Sequence, residues 1–161
     1  MTINEKIKSR RKELGLDPLE IAEQMDFTDS SYYDIEDYED EIYSSIDLKE
    51  VKVLCSILKL DLIELLKLDE RLCKKIGSDK SKETSKISRN ELLKTSREKL
   101  GLSTSQLGEK VNLSESKVIK LETEPEYFEG LALFQLDACA DEIDVPIEWL
   151  LYDSKNGQAP D

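Results

Sequence analysis

Apolar residues recur along this chain at helical spacing, in short stretches bounded by capping residues. Val51, Leu54, Ile57 and Leu58 mark one helix, and Leu136, Cys139 and Ile143 mark another. A shorter helix is expected after each, at 62–66 and 147–151. Thr2 with Glu5, and Ser88 with Glu91, have the spacing of a capping box opening a helix. Asp17 with Glu20, and Ser103 with Gln106, open a second helix, and Pro18 stands where a missing N–H costs nothing. Gly15 and Gly101 are placed to close the first helices in the left-handed conformation. Thr28 and Ser114 are N-caps for a third helix, after turns at Asp26 and Asn112. The pattern predicts an all-α protein.

The signals come in pairs because the chain repeats itself. Ile7-Lys8-Ser9-Arg10-Arg11-Lys12-Glu13-Leu14-Gly15-Leu16 lies over Leu93-Lys94-Thr95-Ser96-Arg97-Glu98-Lys99-Leu100-Gly101-Leu102. The register continues without a gap through Ile21/Leu107, Ala22/Gly108, Met25/Val111, Phe27/Leu113, Tyr32/Val118, Ile35/Leu121 and Glu36/Glu122. After a one-residue slip, Leu60 to Leu66 lies over Val145 to Leu151. Two domains are expected, at 1–72 and 88–153, joined by a basic polar linker at 73–87 and followed by a flexible tail at 154–161.

Composition narrows the function. With 161 residues there is room for two small domains, and the net charge of −13 disfavours anionic membranes and favours a cationic partner. No apolar run reaches the length of a membrane span, and no apolar leader follows Met1, so a cytoplasmic location is expected. The three cysteines lack metal-ligand spacing, and there is no histidine. The commonest general base and zinc ligand are therefore missing. We expect no catalytic residues, no metal and no cofactor.

The residues of the repeat resemble the Xre/Cro-type, lambda-repressor-like helix-turn-helix domain. Its features are a basic first helix, Gly-Leu, a capped second helix, a short turn, a third helix ending in an apolar residue and Glu, then two packing helices. Arg11 and Arg97 match the basic position of the first helix, and Glu36 and Glu122 the closing glutamate. The resemblance implies tandem five-helix domains whose third helices would enter the major groove of DNA. A Gln that anchors phosphate at the start of the family's second helix is replaced here by Pro18 and Thr104. The third helix of the first copy exposes Asp29, Ser30, Tyr33 and Asp34, with none of the side chains that make bidentate base contacts. DNA binding is not expected there. Lys110, Ser116, Lys117 and Lys120 leave the second copy a possible phosphate-binding face.

The departure from the family centres on residues 32–43, Tyr-Tyr-Asp-Ile-Glu-Asp-Tyr-Glu-Asp-Glu-Ile-Tyr. Tyr32 aligns with Val118 and is expected in the core; Ile35 and Ile42 are packing residues. The remainder forms a candidate partner-binding face: Asp29, Tyr33, Asp34, Asp37, Tyr38, Glu39, Asp40, Glu41 and Tyr43. Few bases lie nearby in sequence, with Lys49 the nearest. Tyrosines supply rigid contact area, and carboxylates steer a basic partner. The expected function is a non-enzymatic inhibitor of a basic protein, in the manner of an immunity protein or antitoxin occluding an RNase or DNase toxin. The alternatives are an Xre-type transcriptional regulator using the second domain, or a protein that silences another repressor through a shared surface.

Overall fold

A computed structural model describes residues 1–77 and 87–153. Most of the expected linker and the whole tail at 154–161 lie outside the described residues. The chain divides into two compact units, Met1–Lys74 and Lys75–Asp161. Among the described residues both are helical, with no strand.

Unit one contains α1 (Ile3–Glu13), α2 (Pro18–Gln24), α3 (Asp29–Asp37), α4 (Glu41–Ser44), α5 (Leu48–Leu58) and α6 (Leu62–Leu66). Local chemistry sets their ends. Glu5 reaches back to the Thr2 N–H at 2.8 Å, closing a capping box at α1. Gly15 takes φ +67°, the left-handed backbone that frees Leu14 and Leu16 to bond back into the last turn. Asp17 caps α2 by accepting the Leu19 N–H at 2.8 Å, with Pro18 at the first helical position. Asp26, φ +57°, makes the turn into α3. Ile7, Ile21, Tyr32, Ile35, Leu54 and Leu58 are sealed from solvent. Burying each such side chain contributes about 1.5–3 kcal/mol, which outweighs the weak intrinsic stability of helices this short.

Unit two contains α7 (Arg89–Lys99), α8 (Thr104–Val111), α9 (Glu115–Thr123), a 3-10 segment (Pro125–Gly130), α10 (Leu133–Glu142) and α11 (Glu148–Leu151). Ser103 and Gln106 form a reciprocal capping box, at 3.1 and 2.8 Å. Gly101 and Asn112 take φ +69° and +55°, matching Gly15 and Asp26. Val118 and Leu121 fill the places of Tyr32 and Ile35.

One polar device occurs in both units. Arg11 donates to Glu36 through Nε (2.5 Å) and Nη2 (3.0 Å), and its Nη1 donates to the Leu16 carbonyl at 3.1 Å. Arg97 donates to Glu122 at 2.5 and 2.9 Å and to the Leu102 carbonyl at 2.7 Å. Asn4 and Asn90 each donate to the main-chain carbonyl of that glutamate. The fork–fork geometry satisfies the charges it buries and fastens the third helix to the first. In unit one the Tyr32 hydroxyl adds a bond to Glu36 Oε1 at 3.0 Å, and burial together with the neighbouring carboxylate raises the tyrosine's pKa.

The element between the third and next long helix differs from the expected five-helix layout. Unit one places a separate turn of helix, α4, at Glu41–Ser44, pinned by Ile42, which is buried. Unit two has the 3-10 segment there, started by Pro125 and pinned by Phe128. The segment expected as linker also contributes to unit two. Lys75 Nζ bonds Asp137 and Asp141, both at 2.8 Å, and the Gly77 N–H donates to Glu148 Oε1 at 2.7 Å.

Candidate partner-binding face

Helical spacing sorts the side chains of α3. Tyr32, Ile35 and Glu36 face inward. Asp29, Tyr33 and Asp37 consequently face outward, with Asp34 at the edge, half-buried. The helix stops at Tyr38, whose backbone turns extended while its N–H still bonds the Asp34 carbonyl at 2.9 Å. Glu39 and Asp40 follow as an exposed turn, and α4 carries Glu41 and Tyr43, both half-buried. Tyr33 and Tyr38 are 43% and 61% exposed, so both rings are available to a partner. Tyr43 is engaged within the unit: the Arg71 guanidinium stacks on its ring, 3.6 Å from the centroid.

Few bases lie near these carboxylates in sequence, and the fold supplies two from a distance. Lys8 Nζ, on α1, bonds Asp37 Oδ1 at 3.1 Å. Arg71 pairs with Asp40 through Nη1. It also holds Asp69, through Nε at 2.9 Å and Nη2 at 2.6 Å. Hydrogen bonds from Arg71 and then Ser44 hold the Asp40 carboxyl below the usual carboxylate range. Burial works to raise Asp69, but the Arg71 side chain and backbone bonds outweigh it and leave that pKa lowered as well. Glu39, Asp40, Asp69, Glu70 and Arg71 line a cleft of about 370 Å³. Arg71 and Asp69 were missed by sequence reasoning. Their spacing in Asp69-Glu70-Arg71 suggests a local pair, but no periodicity links them to Asp40 and Tyr43.

The corresponding face of unit two is different. Ile119, 47% exposed, stands where α3 has Tyr33, and Lys120 stands where it has Asp34. Lys110 pairs with Glu142 at 3.0 Å, and Lys120 lies 5.2 Å from the Tyr127 ring centroid. Ser116 shares a hydrogen bond with Ser114 at 3.1 Å, while Lys117 is exposed. Thr104, which lies over Pro18 in the repeat, donates to Glu115 at 2.8 Å. The Thr104 hydroxyl is thus committed to a carboxylate.

Among the described residues no group of three or more Cys, Asp or Glu side chains is arranged to hold a metal ion, and no helix is long and apolar enough to cross a membrane. Burial pushes the Cys55 and Cys139 thiols up to about 12, so neither is a ready nucleophile. Compared with protein-family models, curated proteins and solved structures, the chain matches none.

Proposed function

We propose that the chain is a non-enzymatic inhibitor that binds and occludes a basic nuclease, as an immunity protein or antitoxin does. It would be built from two copies of a lambda-repressor-like helix-turn-helix domain. The shared Arg–Glu fork, the paired caps and the matching left-handed turns support the duplication. The observation that carries the function is the outward side of α3 and its following turn. Two exposed tyrosines stand there among Asp29, Asp34, Asp37, Glu39 and Asp40, where a DNA reader needs Arg, Lys, Gln or Asn. Carboxylates would take the places of substrate phosphates, and Tyr33 and Tyr38 would anchor the contact. The regulator reading has less to work with, because Lys110 and Lys120 are already engaged and Thr104 is bonded to a carboxylate.

The test is direct. A basic protein retained by the chain from its native host is assayed for nucleic-acid cleavage, alone and with one equivalent of the chain. Cleavage is expected to stop at that ratio. A variant carrying Asp29→Lys, Asp34→Lys and Glu39→Lys, shown folded by circular dichroism, is expected to leave the nuclease active. Inhibition by the reversed variant would refute the reading. Tight binding of the chain to its own upstream DNA, falling steeply with salt, would favour the regulator instead.

A further inference from the structure

The Arg71 side chain occupies the cleft beside the tyrosine–carboxylate face in the way a bound ligand would. Its guanidinium forks onto Asp69, reaches Asp40 and sits over the Tyr43 ring. Two carboxylates and an aromatic face are what a planar, delocalised cation needs, and an ammonium cannot match both the fork and the stack. Yet the side chain is 40% exposed, and its flexible stem can swing into water. Both carboxylates keep other partners when it leaves. Asp69 Oδ1 still accepts the Arg71 backbone N–H at 2.8 Å, and Asp40 Oδ2 still accepts the Ser44 hydroxyl at 3.0 Å. Removing the guanidinium therefore opens the cleft and leaves the buried Asp69 carboxylate without a counter-charge, a place that another guanidinium fills.

We propose that Arg71 is a displaceable internal plug: an arginine of the partner protein takes its place between Asp40, Asp69 and Tyr43. The inference rests on the proposed inhibitor function and specifies its chemistry. It also makes the free protein self-masked, since Arg71 neutralises part of the face until a better-placed guanidinium arrives. Apparent affinity is lowered by the fraction of molecules in which the plug is seated.

The full-length chain and its Arg71→Gln variant are titrated with a hexa-arginine peptide and a hexa-lysine peptide at the same ionic strength. For a plug seated nine-tenths of the time, Arg71→Gln should bind the arginine peptide about tenfold more tightly. The gain for the lysine peptide should be clearly smaller. Lys12→Gln, which removes one charge from an exposed position, controls for net charge and should show no such gain. In the wild-type chain, the arginine Nε–H nuclear magnetic resonance signal of Arg71 should move to its free position as the arginine peptide binds. Equal gains for both peptides, no gain, or binding that leaves the Arg71 signal unmoved would each overturn the plug. If the plug result holds while the chain inhibits no nuclease, the inhibitor reading fails and the cleft assignment survives. If the Asp29, Asp34 and Glu39 reversal blocks inhibition while the plug result fails, the opposite follows.

Discussion

Replacing Glu36 by Gln tests the fastening that holds α3 in place. The carboxylate accepts three side-chain hydrogen bonds, two from Arg11 and one from Tyr32, in a site where Glu36 is 3% exposed. A glutamine of the same size leaves one acceptor oxygen and turns an NH2 group toward the donors of Arg11. Breaking a buried pair from one side costs about 3–5 kcal/mol, because the surviving charge stays buried. At about 0.05–0.15 kcal/mol per residue, a unit of this size holds only about 4–11 kcal/mol. The change should therefore consume between about a quarter and all of its stability. At about 4 °C or more per kcal/mol, the melting temperature should fall by at least about 12 °C. Circular dichroism melts measure the loss, and residue-resolved amide hydrogen exchange should show faster exchange at Tyr32 and Ile35 than at Val118 and Leu121. Removing both charges together, as in Arg11→Met with Glu36→Leu, should recover part of it. A Glu36→Gln chain melting within about 4 °C of wild type, a difference near 1 kcal/mol, would refute the assignment.

Further outcomes are expected. The depressed Asp40 and Asp69 contribute stability above about pH 4, the ordinary carboxylate range, and lose it as pH falls through their lowered folded-state values. Urea melts between about pH 6 and pH 2 should show this acid limb, and Arg71→Gln should flatten it. A Cβ at Gly108 would stand 2.5 Å from the Leu113 carbonyl oxygen. Gly108→Ala should therefore lower stability by about 1–3 kcal/mol in chemical denaturation, even though unit one carries Ala22 at the matching place. A thiol reagent should label exposed Cys73 promptly and reach buried Cys55 and Cys139 only in denaturant. Once a partner is in hand, Tyr33→Ala and Tyr38→Ala should each weaken it by about 2 kcal/mol in calorimetry. An unchanged affinity in both would remove the tyrosines from the interface.

Much of the fold was legible because its signals are local. The capping box at Thr2 and Glu5, the left-handed glycines at 15 and 101, and the apolar spacing of α5 and α10 each follow from a few neighbouring residues. Tyr32 could be assigned to the core because the second copy has Val118 there, an internal comparison that needs no structure. The electrostatics of the candidate face were less legible. Lys8 is 29 residues from Asp37, and Arg71 is 31 from Asp40, so only the folded chain brings them together. Sequence reading counted the negative charges but could not place their cations. It likewise left Tyr43 as a free anchor, whereas Arg71 covers that ring. The extra turn of α4 escaped notice because four residues carry too little periodicity to register.

The Arg–Glu fork lies on the inner side of the third helix in both units, together with the apolar residues that hold that helix down. The outer side adds only exposed contacts, Lys8 with Asp37 in one unit and Thr104 with Glu115 in the other, so one unit can show Tyr33 and Asp34 where the other shows Ile119 and Lys120. Such a helix works as an interchangeable faceplate. Positions 29, 30, 33 and 34 could be rewritten together while Arg11, Glu36 and Leu16 go on fixing where that faceplate stands.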